Sequence, residues 1–63
     1  MRKNLKDARR KLGLSQEKMA ESLDTSLKNY QFLEESRRNG SIAIWDKLED
    51  MTGINQRVLR ENF

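Results

Sequence analysis

Apolar residues recur three or four positions apart along most of the chain, in short stripes separated by polar residues. No stretch alternates apolar and polar with period two, so the pattern predicts helices throughout and no strand. The first stripe covers about Leu5 to Lys11, with Leu5, Ala8 and Leu12 on one face. Gly13 suits the left-handed residue that closes a helix, and Leu14 then returns to the core. Ser15 is placed to cap a second helix, whose buried stripe is Met19, Ala20 and Leu23. Asp24 and Thr25 interrupt the pattern. Ser26 caps a third helix, with Tyr30 and Leu33 inward and Leu27 or Thr25 beside them. Ser36 to Gly40 reads as a polar, basic loop. Ser41 precedes a fourth helix carrying Ile44, Trp45, Leu48 and Met51, and Gly53 closes it. Ile54 re-enters the core, and Asn55 caps a last short helix with Val58 and Leu59.

The link between the second and third helices is too short for an antiparallel pairing of long helices, so it favours a steep crossing. Ala20, small in the middle of a stripe, suits a close approach of two helices. Such a unit can rest one helix on a nucleic-acid backbone and lay the next in the major groove. The expected fold is therefore all-α, with the helix-turn-helix at about residues 15–35.

Composition narrows the function classes. Sixty-three residues fit a single domain, 1–63, near the lower limit for independent folding. The opening Met1 suits a complete small protein, and an excised N-terminal domain would read the same way. Cys and His are both absent, which leaves no disulfide, no ordinary zinc site and no usual nucleophile–base set. There is no glycine-rich phosphate loop. No enzymatic activity, metal or cofactor is expected. Apolar runs are too short to span a membrane and the basic N-terminus lacks a signal peptide's apolar region, so a cytoplasmic protein is expected. The net charge of +3 is unevenly spread. Residues 1–18 hold Arg2, Lys3, Lys6, Arg9, Arg10, Lys11 and Lys18 against Asp7 and Glu17, and Arg37 and Arg38 form a second basic group. Local basic groups on an apolar framework fit phosphate contact.

The run Leu12-Gly13-Leu14-Ser15-Gln16, followed by Glu17-Lys18-Met19-Ala20, Leu23-Asp24-Thr25-Ser26, Glu34 and Gly53-Ile54, resembles the lambda-repressor/Cro-like, or xenobiotic-response-element, type of helix-turn-helix domain. The resemblance covers nearly the whole chain. It implies a compact five-helix lambda-repressor-like domain and a sequence-specific regulator of transcription, a phage- or prokaryote-type repressor on a double-stranded DNA operator. By the same resemblance, Leu27, Lys28, Asn29 and Phe32 match groove-facing positions. Gln16, Ser26, Arg37, Arg38, Asn39 and Ser41 match backbone contacts. Arg9 and Glu34 match an ion pair tying the first helix to the third. A paired Arg9 cannot also hold a phosphate, which leaves Arg10 and Lys11 as the phosphate candidates of that segment.

Several positions depart from the family pattern. Asp24 stands where Gly is usual in the central turn, Ser36 where Gly often follows the third helix, and Gly40 where Pro is common. Asp tolerates the left-handed region better than most residues. Tyr30 replaces a smaller apolar residue and is expected to reach an edge where its hydroxyl finds water or a partner. Glu49, at a position often apolar, is either buried with a partner or exposed by a small rotation of its helix. Leu27 and Phe32 are apolar where relatives carry polar side chains. They can meet thymine methyls, or they can bury against the domain or another protein, and an antirepressor-like interaction module is the competing function. Relatives commonly form homodimers on pseudo-palindromic sites. A dimer here would use Val58, Leu59, Arg60 and Phe63, with Trp45 joining it, or else Trp45 and Leu59 both fill the monomer core.

Overall fold

Every helix after the first starts where a short polar side chain can cap it. In the computed structural model, which describes residues 1–62, the elements are α1 (Lys3–Lys11), α2 (Gln16–Ser22), α3 (Leu27–Glu34), α4 (Ile42–Thr52) and α5 (Gln56–Leu59). The Ser15 hydroxyl accepts from the Lys18 amide at 3.1 Å, Ser26 from Asn29 at 3.1 Å, and Ser41 from Ile44 at 3.2 Å. Asn55 Oδ1 accepts from the Arg57 amide at 2.8 Å. Each bond satisfies an amide that the helix itself leaves open. α1 lacks such a cap and starts two residues before the expected Leu5, directly after Arg2.

Two turns use the left-handed region without glycine. Asp24 has φ 54° between α2 and α3, and Ser36 has φ 65° after α3. Both are short polar residues, for which this conformation is less costly than for bulky ones. The central turn thus keeps its shape with Asp24 in it.

The core is one cluster: Leu5 and Ala8 from α1, Met19 and Ala20 from α2, Leu23 behind them, Tyr30 and Leu33 from α3, Trp45 and Leu48 from α4, and Leu59 from α5. Leu14, Ile44, Met51 and Ile54 close its edges. α2 and α3 pack closely on one another. Leu12 departs from expectation. It is the C-cap of α1, 43% exposed, and lines a shallow groove with Ala8, Lys11, Thr52 and Ile54. The chain reverses at Gly13 and sends Leu14 inward instead. Of the two candidates beside Tyr30 and Leu33, Thr25 is half-buried and Leu27 is exposed. Glu49 is half-buried and partnered, accepting from Gln56 Nε2 at 3.0 Å. No described helix is long and apolar enough to cross a membrane.

Tyr30 corrects another expectation. Its side chain is fully buried, and its hydroxyl lies against the Glu34 carboxylate and the Arg9 guanidinium without meeting the geometry of a hydrogen bond to any described residue. Burial first, and the Glu34 carboxylate second, push its ionisation well above the usual tyrosine range. An unsatisfied buried hydroxyl costs about 1–3 kcal/mol, so Tyr30→Phe should stabilise the domain by about 1 kcal/mol in urea unfolding. The pH dependence has a definite sign. An unfolded tyrosine ionises near pH 10, whereas the folded one keeps its proton. Ionisation of this group therefore leaves wild-type stability unchanged below about pH 10 and lowers it by about 1.4 kcal/mol per pH unit well above it. The advantage of Tyr30→Phe should widen between pH 10 and 11. A constant gap would mean that the hydroxyl is solvated.

Arg2 is the polar core residue that the sequence pattern concealed. Its Nη1 donates to the Leu33 carbonyl at 2.6 Å and the Arg38 carbonyl at 2.7 Å, and its Nε to the Arg60 carbonyl at 3.3 Å. Its backbone amide donates to the Glu34 carbonyl at 2.7 Å. The guanidinium lies 5.2 Å from the Trp45 ring centroid, and Arg60 lies 5.4 Å from the same ring. Burial, and after it the Arg60 charge, lower its pKa from the usual arginine value. Arg2 has no carboxylate partner among the described residues. Carbonyl oxygens take that place, one in the last turn of α3, where the helix dipole also favours a cation, one in the following loop and one just after α5.

Candidate nucleic-acid interface

A polar line that starts from a buried ion pair joins α1, α2 and α3. Arg9 Nε donates to Glu34 Oε2 at 2.6 Å, with the two side chains only 10% and 1% exposed. Arg9 Nη1 also donates to the Leu14 carbonyl at 2.8 Å. The hydrogen bond to Glu34 raises the Arg9 pKa against the opposing effect of burial. The other Glu34 oxygen accepts from Gln16 Nε2 at 3.2 Å, and Gln16 Oε1 accepts from Gln31 Nε2 at 3.2 Å. Gln16, the first residue of α2, therefore bridges the core ion pair and the middle of α3.

Within α3, Tyr30, Leu33 and Glu34 turn inward. At 3.6 residues per turn, Lys28 and Phe32 then lie on the opposite side, one turn apart. Gln31 flanks this outer face toward α2, and Asn29 flanks it toward the loop after α3. Lys28 and Leu27 are exposed, and Lys28 has no ion-pair partner among the described residues. Gln31 is half-buried and was not among the residues expected at the site. Its place directly after Tyr30 sets it about a quarter turn round from the inward side, and the bond to Gln16 shows it held there.

Asn29 and Phe32 are engaged by the following loop. Asn29 Nδ2 donates to the Thr25 hydroxyl at 2.8 Å, and Asn29 Oδ1 accepts from Arg38 Nη1 at 2.9 Å. A guanidinium can only donate, so the Asn29 oxygen must face it and the amide orientation is determined. The Arg37 and Arg38 guanidiniums lie 5.7 and 5.2 Å from the centroid of the Phe32 ring. Arg37 also pairs with Glu35 at 3.0 Å, with both side chains well exposed. Phe32 is thus half-buried under two cations. It is neither a bare apolar surface nor a core residue.

The remaining expected residues lie at the starts of α3 and α4 and in the last turn of α1. Ser41 caps its N-terminus, beside exposed Asn39. The Asn39 carbonyl accepts from Trp45 Nε1 at 2.6 Å, which anchors the loop to the core. Ser26 is exposed at the start of α3. Arg10 and Lys11 are exposed in the last turn of α1, where they also complement its dipole. Lys11 shares its groove with Thr52 and Ile54, near the C-terminal end of α4, and so is not brought to the Ser41 end.

Leu59 is fully buried and Trp45 nearly so. Neither offers surface to a partner, which corrects the expectation for Leu59 and places Trp45 in the monomer core. A four-residue helix must point its one large apolar group inward to hold onto the domain. Val58 and Arg60 are exposed, and Phe63 lies outside the described residues.

A family model described as helix-turn-helix matches residues 5–59. No curated protein and no solved structure matches the chain.

Proposed function

The chain belongs to the helix-turn-helix family, a DNA-binding architecture, and from that premise we propose that it is a sequence-specific transcriptional regulator reading the major groove with α3. The finer assignment is a repressor of the lambda-repressor/Cro-like type, found in phages and prokaryotes, that binds its operator as a homodimer. The observation that carries this reading is the outer side of α3. Lys28 and Phe32 lie on the side of α3 away from Tyr30, Leu33 and Glu34, Gln31 and Asn29 flank them, and Gln16 at the capped start of α2 bonds Gln31.

The chemistry of that face matches base edges. Lys28 can donate to guanine, and the side-chain amide of Gln31 fits the adenine edge. Leu27 can meet a thymine methyl. Asn29 would add to this reading through whatever capacity Thr25 and Arg38 leave it. Around the face, Gln16, Ser26, Asn39, Ser41 and the open amides at the helix starts suit phosphates. Arg10 and Arg37 supply charge, and Lys11 acts at longer range. Two half-sites about one helical turn apart would be spanned by a dimer, for which Val58 and Arg60 are the exposed contacts.

The test is selection of bound duplexes from a random library, followed by affinity measured against salt. A palindromic motif should emerge, with an affinity that falls steeply as salt rises. Lys28→Ala should lose about 1–3 kcal/mol of discrimination at one base pair of each half-site, with little change elsewhere in the motif. An unenriched library and a flat salt dependence would overturn the reading. If Phe32→Ala then abolished a protein complex, the interaction-module function would take its place.

A further inference from the structure

The geometry points to Arg38 as a base-reading residue, delivered onto α3 from the loop and matched to guanine, with Phe32 as its platform and Asn29 as its guide. The inference rests on the DNA-reading role proposed above. Arg38 was expected among the phosphate contacts because it lies in a basic loop. Its guanidinium does not project from that loop. It lies back over α3, 2.9 Å from Asn29 Oδ1 and 5.2 Å from the centroid of Phe32. Phe32 is on the side of α3 opposite Tyr30 and Leu33, so a group covering its ring lies on the surface that would enter the groove.

The donor arrangement supports the same role. A guanidinium has five N–H donors in a fixed plane. Asn29 occupies one donor from Arg38 Nη1 and holds the plane from one side. Thr25 fixes the Asn29 amide in turn, and the Phe32 ring limits tilt through cation–π attraction. The unused fork can give two parallel bonds to O6 and N7 of guanine, the commonest specific major-groove contact. Arg38's backbone carbonyl is tied to buried Arg2 at 2.7 Å, which fixes the root of the side chain. Arg37 is less suited, because Glu35 already neutralises it from the exposed side. This arrangement also accounts for an aromatic residue on the recognition face: Phe32 aims a cation rather than meeting a base methyl.

The experiment compares motifs selected by the wild-type chain, Arg38→Ala, Arg38→Lys and Asn29→Ala. Circular dichroism checks that each variant is folded. Arg38→Ala should lose the preference for one guanine per half-site while retaining the rest of the motif. The loss should fall between about fivefold and a hundredfold at that position. Arg38→Lys should keep the salt dependence without restoring the full guanine preference, because an ammonium lacks the fork. Asn29→Ala should weaken the same preference with the salt dependence unchanged. Replacing that guanine by 7-deazaguanine removes the N7 acceptor. It should weaken the wild type and leave Arg38→Ala unaffected.

A phosphate contact would behave differently. Arg38→Ala would then weaken all duplexes alike and lower the salt slope by about one, Arg38→Lys would largely recover, and the motif would be unchanged. That result overturns the assignment of Arg38 while the DNA-reading function stands. If the wild-type chain enriches no duplex, the function and this assignment fall together.

Discussion

Glu34→Ala should lose about 3–5 kcal/mol of stability, because it leaves the Arg9 guanidinium buried without its counter-charge. A domain of this length has a total stability on the order of 3–9 kcal/mol, so much of the chain should unfold near room temperature. Urea denaturation monitored by helical circular dichroism reads this directly. The ordinary cost of an exposed ion pair is below about 1 kcal/mol, and the difference rests on the 1% exposure of the Glu34 side chain. A second variant separates desolvation from lost packing. Arg9→Met combined with Glu34→Met removes both charges and should be less destabilised than Glu34→Ala alone. A single variant costing under 1 kcal/mol, or a double variant worse than the single, would show that the pair is solvated.

Gly40→Ala should cost about 2–4 kcal/mol, combining the left-handed backbone with a steric conflict. Gly40 has φ +77°, and a Cβ there would stand 2.8 Å from both Leu33 Cδ2 and Trp45 Nε1. The Trp45 ring cannot swing away readily, since it is buried and Nε1 donates to the Asn39 carbonyl. Gly13→Ala is the matched control. Gly13 has a similar φ of +74°, and its Cβ would meet nothing within 4 Å. It should cost about 1–2 kcal/mol, the backbone penalty alone. Thermal or urea unfolding of the two variants then isolates the steric part. Equal losses would show that the loop relaxes around the added methyl group.

Local chemistry made much of this fold legible in one dimension. Ser15, Ser26, Ser41 and Asn55 mark helix starts because their side chains reach amides two or three residues ahead. Asp24 could be trusted in the central turn for the conformational reason that its φ of 54° displays. Leu12 misled because periodicity continues through a helix end, whereas the chain reverses there. Tyr30 misled because a phenol's polar tip suggests an edge, yet the space behind α3 encloses the whole side chain. Arg2 could not be read at all. An arginine near a terminus normally marks solvent, and only the meeting of α3, the loop after it and the end of α5 supplies the carbonyls that receive it. The outer face of α3 was half legible. Helical spacing gave its Lys28 and Phe32 side, but spacing cannot show that a loop residue lies across Phe32 or that Gln16 holds Gln31.

The bonds Gln16–Gln31 and Asn29–Arg38 carry a thermodynamic consequence. Long polar side chains lose rotational freedom when they are fixed against a ligand, at about 0.5–1.5 kcal/mol for each one immobilised. Here much of that loss of rotamer entropy occurs when the domain folds. Association begins with fewer accessible rotamers on the reading face, so a correct base edge meets donors already narrowed toward their bound directions. A mismatched edge gains little from them, because reorientation would first break an internal bond. The same two bonds therefore reduce the entropic cost of the right partner and raise the enthalpic cost of accommodating the wrong one.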